Sequence, residues 1–134
     1  MPCYLHLILV ALLLGSCTSG PPPSSSGRGL ADSVSVSYRC TGTEPFWSVA
    51  ISPAGIVFQS PEVAPVNYPF VASKKSGQTI EFLTSLNFGS EKSTLKVILT
   101  PGNCSDGMSD TIYPFIAVVI RDGQQLRGCA KEML

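Results

Sequence analysis

The stretch that decides the fold runs from Ile112 to Cys129 and reads Ile-Tyr-Pro-Phe-Ile-Ala-Val-Val-Ile-Arg-Asp-Gly-Gln-Gln-Leu-Arg-Gly-Cys. Its first half is almost continuously apolar, which is typical of a buried strand. Asp122-Gly123 then favours a two-residue hairpin turn, because both residue types tolerate the positive φ that such turns require. The sequence therefore predicts a hairpin with these facing pairs: Arg121 with Gln124, Val119 with Leu126, and Ile116 with Cys129.

The chain before this hairpin contains further short segments in which apolar and polar residues alternate, the pattern of half-buried strands. The inward sets that we predict are Val34, Val36 and Tyr38; Trp47, Val49 and Ile51; Ile80 and Phe82; and Leu95, Val97 and Leu99. A Ser-Pro-Ala-Gly turn at 52–55 closes a second hairpin with the strand that ends near Gln59.

Prolines and glycines mark the places where this pattern is interrupted. Pro61, Pro65 and Pro69 argue against a central strand at 60–70 and favour a bent or edge segment at 68–72. Loops are predicted at 87–89 and at 101–103. Since no stretch has helical periodicity, we predict an all-β domain over residues 34–134. It would be a small antiparallel β-barrel or sandwich of about eight short strands.

The first 16 residues have the composition of an export signal. The apolar run from Leu5 to Leu14 is too short to span a bilayer and has the length of a signal-peptide core. It ends in Leu14-Gly15-Ser16-Cys17, which resembles the bacterial lipobox. We therefore expect residues 1–16 to be removed and Cys17 to carry acyl chains that hold the protein on a membrane. Ordinary secretion with cleavage nearby is the alternative.

The segment after Cys17, up to residue 33, is dominated by proline, serine and glycine. Such a composition has no apolar surface to bury, so it predicts a disordered tether. Thr18 stands where an Asp would be expected in a lipoprotein kept at the inner membrane, so the site resembles the outer-membrane sorting signal. The sequence thus predicts a lipid-anchored envelope protein at the outer membrane, facing the periplasm.

Charge and histidine content exclude several classes of function. His6 is the only histidine and lies in the predicted leader, which excludes His-based triads, general bases and metal sites from the mature chain. Nine basic and nine acidic residues balance each other, which argues against a nucleic-acid partner. The candidate nucleophiles Cys40, Ser105 and Ser109 have no motif that pairs them with a base. We therefore predict neither an enzyme nor a cofactor.

Three cysteines remain after Cys3 and Cys17 are set aside, an odd number for an oxidising compartment. One disulfide and one free thiol is the simplest assignment. A Cys104–Cys129 bridge would clamp the last strands, and a Cys40–Cys129 bridge would tie the first strand to the last. A zinc site of three thiolates lacks the usual Cys-x-x-Cys spacing.

Three motifs carry a family resemblance. The segments Gly42-Thr43-Glu44-Pro45-Phe46-Trp47, Cys-Ser-Asp-Gly-Met-Ser-Asp at 104–110 and Gly128-Cys129 resemble the G-[TN]-E-P-F-W, C-x-D-G-M-S-D and terminal G-C motifs of a family of bacterial envelope lipoproteins. The resemblance implies an envelope location and carries no biochemical activity with it. The layout is also similar to the small β-barrel lysozyme inhibitors of the Gram-negative envelope, in size, anchor and fold only.

The same motifs supply the candidate binding residues: Glu44, Trp47, Asp106, Ser109 and Asp110. Trp47 can plug the core and Glu44 can fix a loop, or both can face a ligand. The acids at 106 and 110 do not have EF-hand spacing, and an Asx-type turn explains them equally well. A binding role would place Glu44 beside the 106–110 loop.

Two functional hypotheses follow from these features. The first is a non-catalytic, lipid-anchored module, binding or structural, that faces an envelope protein or component, with an inhibitor of a wall-degrading enzyme as one concrete version. The second is a periplasmic β-barrel that binds a small molecule or a metal ion.

Overall fold

The computed structural model describes residues 36–134, which fold as strands joined by short turns within one compact unit. The predicted signal peptide at 1–16, the lipidation site Cys17 and the tether up to residue 33 lie outside the described residues. The strands are β1 Ser37–Thr43, β2 Phe46–Ser52, β3 Gly55–Ser60, β4 Val63–Tyr68, β5 Lys74–Ser76, β6 Thr79–Phe88, β7 Glu91–Ser105, β8 Ile112–Arg121 and β9 Gln124–Met133. No helix in the described part of the chain is long and apolar enough to cross a membrane.

The nine strands of residues 36–134 belong to one antiparallel sheet with the order β4-β3-β2-β1-β9-β8-β7-β6-β5. The sheet curls into a half-barrel, and hydrogen bonds from side chains connect the end of β4 with β6 and β7 across the curl. The Thr84 hydroxyl donates a hydrogen bond to the Pro69 carbonyl oxygen (2.8 Å), and the hydroxyls of Tyr68 and Ser93 lie 2.7 Å apart. The predicted all-β antiparallel class is confirmed. Because there is one sheet, the fold is barrel-like rather than a sandwich.

The β8–β9 hairpin has the predicted register, in which Arg121 pairs with Gln124, Val119 with Leu126 and Ile116 with Cys129. Asp122 and Gly123 both have positive φ values, 49° and 86°, as a two-residue turn of this kind requires. The hairpin lies at the centre of the sheet, because β9 pairs with β1 and β8 pairs with β7.

The core fills the concave side of the sheet, and the alternating apolar positions predict it well. Buried residues include Tyr38, Cys40, Trp47, Val49, Ile51, Ile80, Phe82, Leu95, Val97, Leu99, Ala117, Val119 and Ala130. Residues between them on each strand point to the convex side, as the two-residue period of a strand demands. Val36 departs from the predicted set, because β1 begins only at Ser37 and Val36 is 38% exposed.

The proline-rich middle forms no central strand, as predicted, but its edge strand has different bounds from the predicted ones. β4 spans Val63–Tyr68, includes Pro65 and lies at one edge of the sheet, whereas the prediction placed an edge segment at 68–72. The register shifts between Phe58 and Ser60, on the partner strand β3. An edge strand with an irregular register tolerates proline, because the missing N–H removes no bond from a central ladder.

The two predicted loops, at 87–89 and 101–103, are wrong, because the strands continue through most or all of these residues. Asn87 and Phe88 belong to β6, and the chain reverses only at the next two residues, where Gly89 has φ 60°. Pro101–Asn103 does not interrupt the chain either, since β7 continues to Ser105 with a register shift between Pro101 and Cys104. A β-bulge absorbs the extra residue and bends the strand, so turn-type residues occur here without a turn.

Candidate functional site

Trp47 lies in the interior, at an inward position of β2, and is only 4% exposed. Gly42, on β1, is its direct cross-strand partner, and Gly128 lies on β9, the next strand beyond β1. A Cβ atom on Gly42 would collide with the indole nitrogen, and one on Gly128 would lie 2.8 Å from Cζ2 of the indole. The indole therefore packs on backbone that has no side chains, which gives both motif glycines a structural role.

Glu44 lies in the exposed turn between β1 and β2, where the Glu44–Pro45 peptide bond is cis. The preceding residue contacts the other motif loop, because the Thr43 hydroxyl donates to the Asp106 carbonyl oxygen at 3.4 Å. The structure thus brings Thr43, next to Glu44, against the start of the 106–110 loop. Trp47 does not join them at the surface.

The 106–110 loop is organised by the Asp106 carboxylate. Its Oδ1 accepts hydrogen bonds from the backbone N–H groups of Met108 (3.0 Å) and Ser109 (3.1 Å), and its Oδ2 accepts one from the Tyr113 hydroxyl (3.1 Å). These bonds, led by the Met108 N–H, lower the pKa of Asp106. This is the Asx-type turn foreseen as the structural explanation. Asp110 is exposed at the end of the loop.

Cys104 and Cys129 form the disulfide, with an S–S distance of 2.03 Å and a Cα–Cα distance of 5.5 Å. The Cys104–Cys129 pairing is therefore confirmed, and the alternative Cys40–Cys129 is wrong. Cys129 points to the convex side of β9, whereas Cys40 points inward from β1 and is fully buried as a free thiol. Burial raises the pKa of the Cys40 thiol to about 12.

An open cavity of about 260 Å³ lies at one end of the half-barrel, and the motifs alone did not predict it. Its walls come from β2, β3, β4, β8 and β9 and from the turns beside them. The main lining residues are Pro45, Phe46, Trp47, Phe58, Pro61, Glu62, Arg121 and Leu126. Phe46, at the rim, is 55% exposed. Trp47 is the one predicted site residue that contributes to this cavity.

Arg121 is the only basic residue that lines the cavity, within the described chain, and the fold holds it firmly. Its guanidinium carbon lies 4.8 Å from the centre of the Phe58 ring, and its Nε donates to the Tyr68 hydroxyl at 3.0 Å. The hydroxyl of Ser93 continues this network, since it lies 2.7 Å from the Tyr68 hydroxyl and donates to Asp122 Oδ2 at 2.9 Å. Arg121 Nε also lies 3.8 Å from Asp122 Oδ2. A fixed cation beside an aromatic wall gives the cavity a positively charged, orienting group, in addition to the polar side chains of Ser60, Glu62 and Gln124.

The candidate nucleophiles are already engaged in the structure. Cys40 is fully buried, which raises the pKa of its thiol and favours the unreactive thiol form. The Ser105 hydroxyl accepts a bond from the Gly107 N–H (3.2 Å), and the Ser109 hydroxyl accepts one from the Thr111 N–H (3.3 Å). Among residues 36–134, no three His, Cys, Asp or Glu side chains come close enough together to hold a metal ion.

Comparison with known proteins adds no family assignment, since no family model, curated protein or solved structure matches this chain.

Proposed function

We propose that this chain is a lipid-anchored lipoprotein of the bacterial envelope whose β domain binds a partner without catalysis. The resemblance of Leu14-Gly15-Ser16-Cys17 to a lipobox and the Pro/Ser/Gly segment after it support the anchor and tether. The Cys104–Cys129 disulfide supports an exported location, because disulfides persist mainly in oxidising compartments.

The observation that carries the binding role is the cavity with Phe46 exposed at its rim. Drug-sized ligands usually occupy pockets of about 300–1,000 Å³, so a cavity of about 260 Å³ suits one protruding group of a larger partner. A large exposed aromatic side chain beside an apolar recess is typical of an interaction surface. We therefore place partner recognition at the cavity end of the domain.

The engaged state of the candidate nucleophiles supports a non-catalytic role. A buried thiol with a pKa of about 12 has almost no thiolate at neutral pH, and thiolate is the reactive form. Ser105 and Ser109 use their hydroxyls to hold the backbone of the 105–111 segment. These side chains stabilise the fold and leave recognition to the cavity.

The concrete version of this function is inhibition of a wall-degrading enzyme. The test adds the purified domain to a lysozyme that hydrolyses peptidoglycan and measures the rate of hydrolysis. Wild type should inhibit, and Phe46→Ser should weaken inhibition because it removes the apolar rim. Leu83→Ser is the matched control, since Leu83 is an equally exposed apolar residue (61%) on β6, away from the cavity. Full hydrolysis with micromolar wild-type domain would eliminate the inhibitor version.

The lipid anchor has its own test. Mass spectrometry of the protein from the membrane fraction should show an N-terminal Cys17 that carries acyl chains. A soluble protein with an unmodified N-terminus would contradict the anchor. Cys17→Ser should release the protein from the membrane fraction without altering the melting temperature of the β domain.

A small-molecule function is the second candidate, and Arg121 in the cavity is the observation that favours it. A small apolar carboxylate could pair with the guanidinium while its apolar part contacts Phe58 and Leu126. Thermal melting with a series of such carboxylates, and with divalent cations or EDTA, separates the two candidates. A large rise in melting temperature with one of these carboxylates, lost in Arg121→Gln, would favour the small-molecule function. No change in melting temperature with any of them would favour the protein partner.

A further inference from the structure

Most basic side chains of this neutral domain lie on the convex side of the sheet. Residues 36–134 hold eight basic and eight acidic side chains. On the four adjacent strands β1, β9, β8 and β7, the convex-side positions carry five of the basic residues and none of the acidic ones. These five residues define the cationic face: Arg39, Lys92, Lys96, Arg127 and Lys131.

Arg39 and Lys131 are a pair of like charges on the cationic face. They are direct partners in the β1–β9 register, and both are exposed at convex-side positions. Side chains that face each other in this way have Cβ atoms about 5 Å apart, and like charges in such a pair are destabilising. Neither residue belongs to the ion pairs formed within residues 36–134. Such a pair would cost stability in the free domain, and a bound anion would relieve the repulsion.

The acids near the cationic face leave most of its charge uncompensated. Glu81, on β6, pairs with Lys96 at 3.2 Å. Asp106 and Asp110 lie in the β7–β8 loop at the border near Thr43, and the Asp106 carboxylate is held by its own loop and Tyr113. Glu132 lies at an inward position beside Tyr38. One of the five cations therefore has an acidic partner.

Aliphatic side chains lie between the cations. Ile98, Val118 and Ile120 are half-buried at convex-side positions of β7 and β8, and Ile116 is 43% exposed. Val118 is the cross-strand partner of both Ile98 and Arg127. Basic and apolar side chains on one face are the combination that binds the surface of an anionic bilayer, by charge attraction and by shallow apolar contact.

We propose that the cationic face docks on an anionic phospholipid surface. The inference rests on the proposed lipid anchor in one respect only, which is the supply of a nearby membrane. If residues 17–33 form the proposed Pro/Ser/Gly tether, their composition predicts an end-to-end distance of about 20–25 Å, so the domain would stay close to the bilayer. At that effective concentration, even weak attraction orients the domain with its convex side on the lipid.

The test uses the chain from residue 17 with Cys17→Ser, so that no acyl chain contributes to binding. The β domain has its own core and disulfide in residues 36–134, so this chain keeps what the fold requires. Co-sedimentation compares phosphatidylcholine vesicles with vesicles that also contain phosphatidylglycerol. We expect binding to the anionic vesicles only, weakened by added salt. Equal binding to both vesicles, or to neither, would overturn the proposal.

Matched variants locate the site. Arg39→Gln with Lys131→Gln should lower partitioning roughly 25-fold, from about 5-fold for each cation near an anionic surface. The same variant should melt no lower than wild type, because it relieves the repulsion between the two cations. Lys75→Gln is the control, since Lys75 is an exposed cation on the side of Ile80 and not on the cationic face. An equal loss in Lys75→Gln would contradict the assignment of the face.

Two further results separate lipid docking from its rivals. Binding to a single-stranded oligonucleotide as tight as to the anionic vesicles would reveal general polyanion affinity and overturn the lipid assignment. If Cys17 is acylated in the native protein but the Cys17→Ser form does not bind anionic vesicles, the lipid-docking inference is wrong and the proposed anchor stands. If the Cys17→Ser form binds anionic vesicles but the native protein is not acylated, the proposed anchor is wrong and the lipid-docking inference stands.

Discussion

The Gly42–Trp47 segment and the 106–110 loop carry the most distinctive motifs of the chain, and the structure uses them in opposite ways. The first turns inward, where the indole of Trp47 packs on the backbone of Gly42 and Gly128. The second stays at the surface, where Asp106 satisfies the donors of its own loop. One motif is held by packing and the other by hydrogen bonds. Trp47 and Asp106 are thus engaged by the fold, whereas Phe46 of the first motif is exposed at the rim of the cavity, and most of the cavity lining comes from outside the two motifs.

The largest effect should come from the packed motif. Trp47→Ala should destabilise the domain by about 4 kcal/mol, because it removes a buried indole and leaves a cavity. Urea unfolding measures the loss, and Trp47→Phe should cost clearly less. A loss below about 1 kcal/mol in Trp47→Ala would mean that the indole is not a core plug.

The disulfide should contribute nearly as much to stability. Cys104→Ser with Cys129→Ser opens a bridge between residues 25 positions apart and should cost about 3 kcal/mol. Cys40→Ser gives a contrast, since Cys40 is a buried free thiol and forms no bridge. Melting curves with and without reductant should shift for wild type and for Cys40→Ser, and stay unchanged for the double variant. A reductant-sensitive melt in the double variant would contradict the assigned bridge.

Gly42→Ala sharpens the explanation of the packed motif. The added Cβ would collide with the indole of Trp47 and lie 2.9 Å from the Arg127 carbonyl oxygen, so we expect a loss of about 2 kcal/mol. Combined with Trp47→Phe, the cost should be less than the sum of the two single changes, because the smaller ring makes room. Strict additivity in this double-mutant cycle would break the link between glycine and indole.

The smallest effect is expected in the hydrogen-bonded motif. The pKa of Asp106 is lowered in the folded state, so its contribution is complete above the ordinary value of 3.8 and is lost as the pH falls through the lower folded value. Asp106→Asn should lower the melting temperature slightly at pH near neutral. The difference from wild type should shrink in strong acid, and Asp110→Asn should show neither effect. A gap that widens in acid would contradict the role of the Asp106 carboxylate.

The parts of the fold that the sequence predicts are those with local signals. The β8–β9 register follows from Asp122-Gly123 and the apolar alternation on either side, and both lie within one short stretch. The bulge in β7 was not predictable, because Pro101-Gly102-Asn103 reads as a turn in any local window and only β8 pairing extends the strand. Pro65 correctly argued against a central strand, but the bounds of the edge strand were wrong, since pairing with β3 depends on the whole sheet.

The candidate site was less predictable than the fold. Phe46, Phe58, Arg121 and Leu126 meet in one cavity only because four strands converge there, and no spacing in the sequence brings them together. Trp47 was predicted because it is the only tryptophan of the chain and belongs to a distinctive motif. Its place in the wall of the cavity depends on packing. The cationic face is likewise invisible in a neutral composition and emerges only from strand register.

The central claim is that the partner meets the cavity end of the domain and not the acidic loop. Photo-crosslinking in the native envelope tests it directly, with p-benzoylphenylalanine placed at Phe46, at Asp110 and, as a control, at Leu83. All three positions are exposed, so incorporation should be tolerated equally. We predict a discrete covalent adduct from position 46 and none from 110 or 83. An adduct from position 110 with none from position 46 would contradict the account.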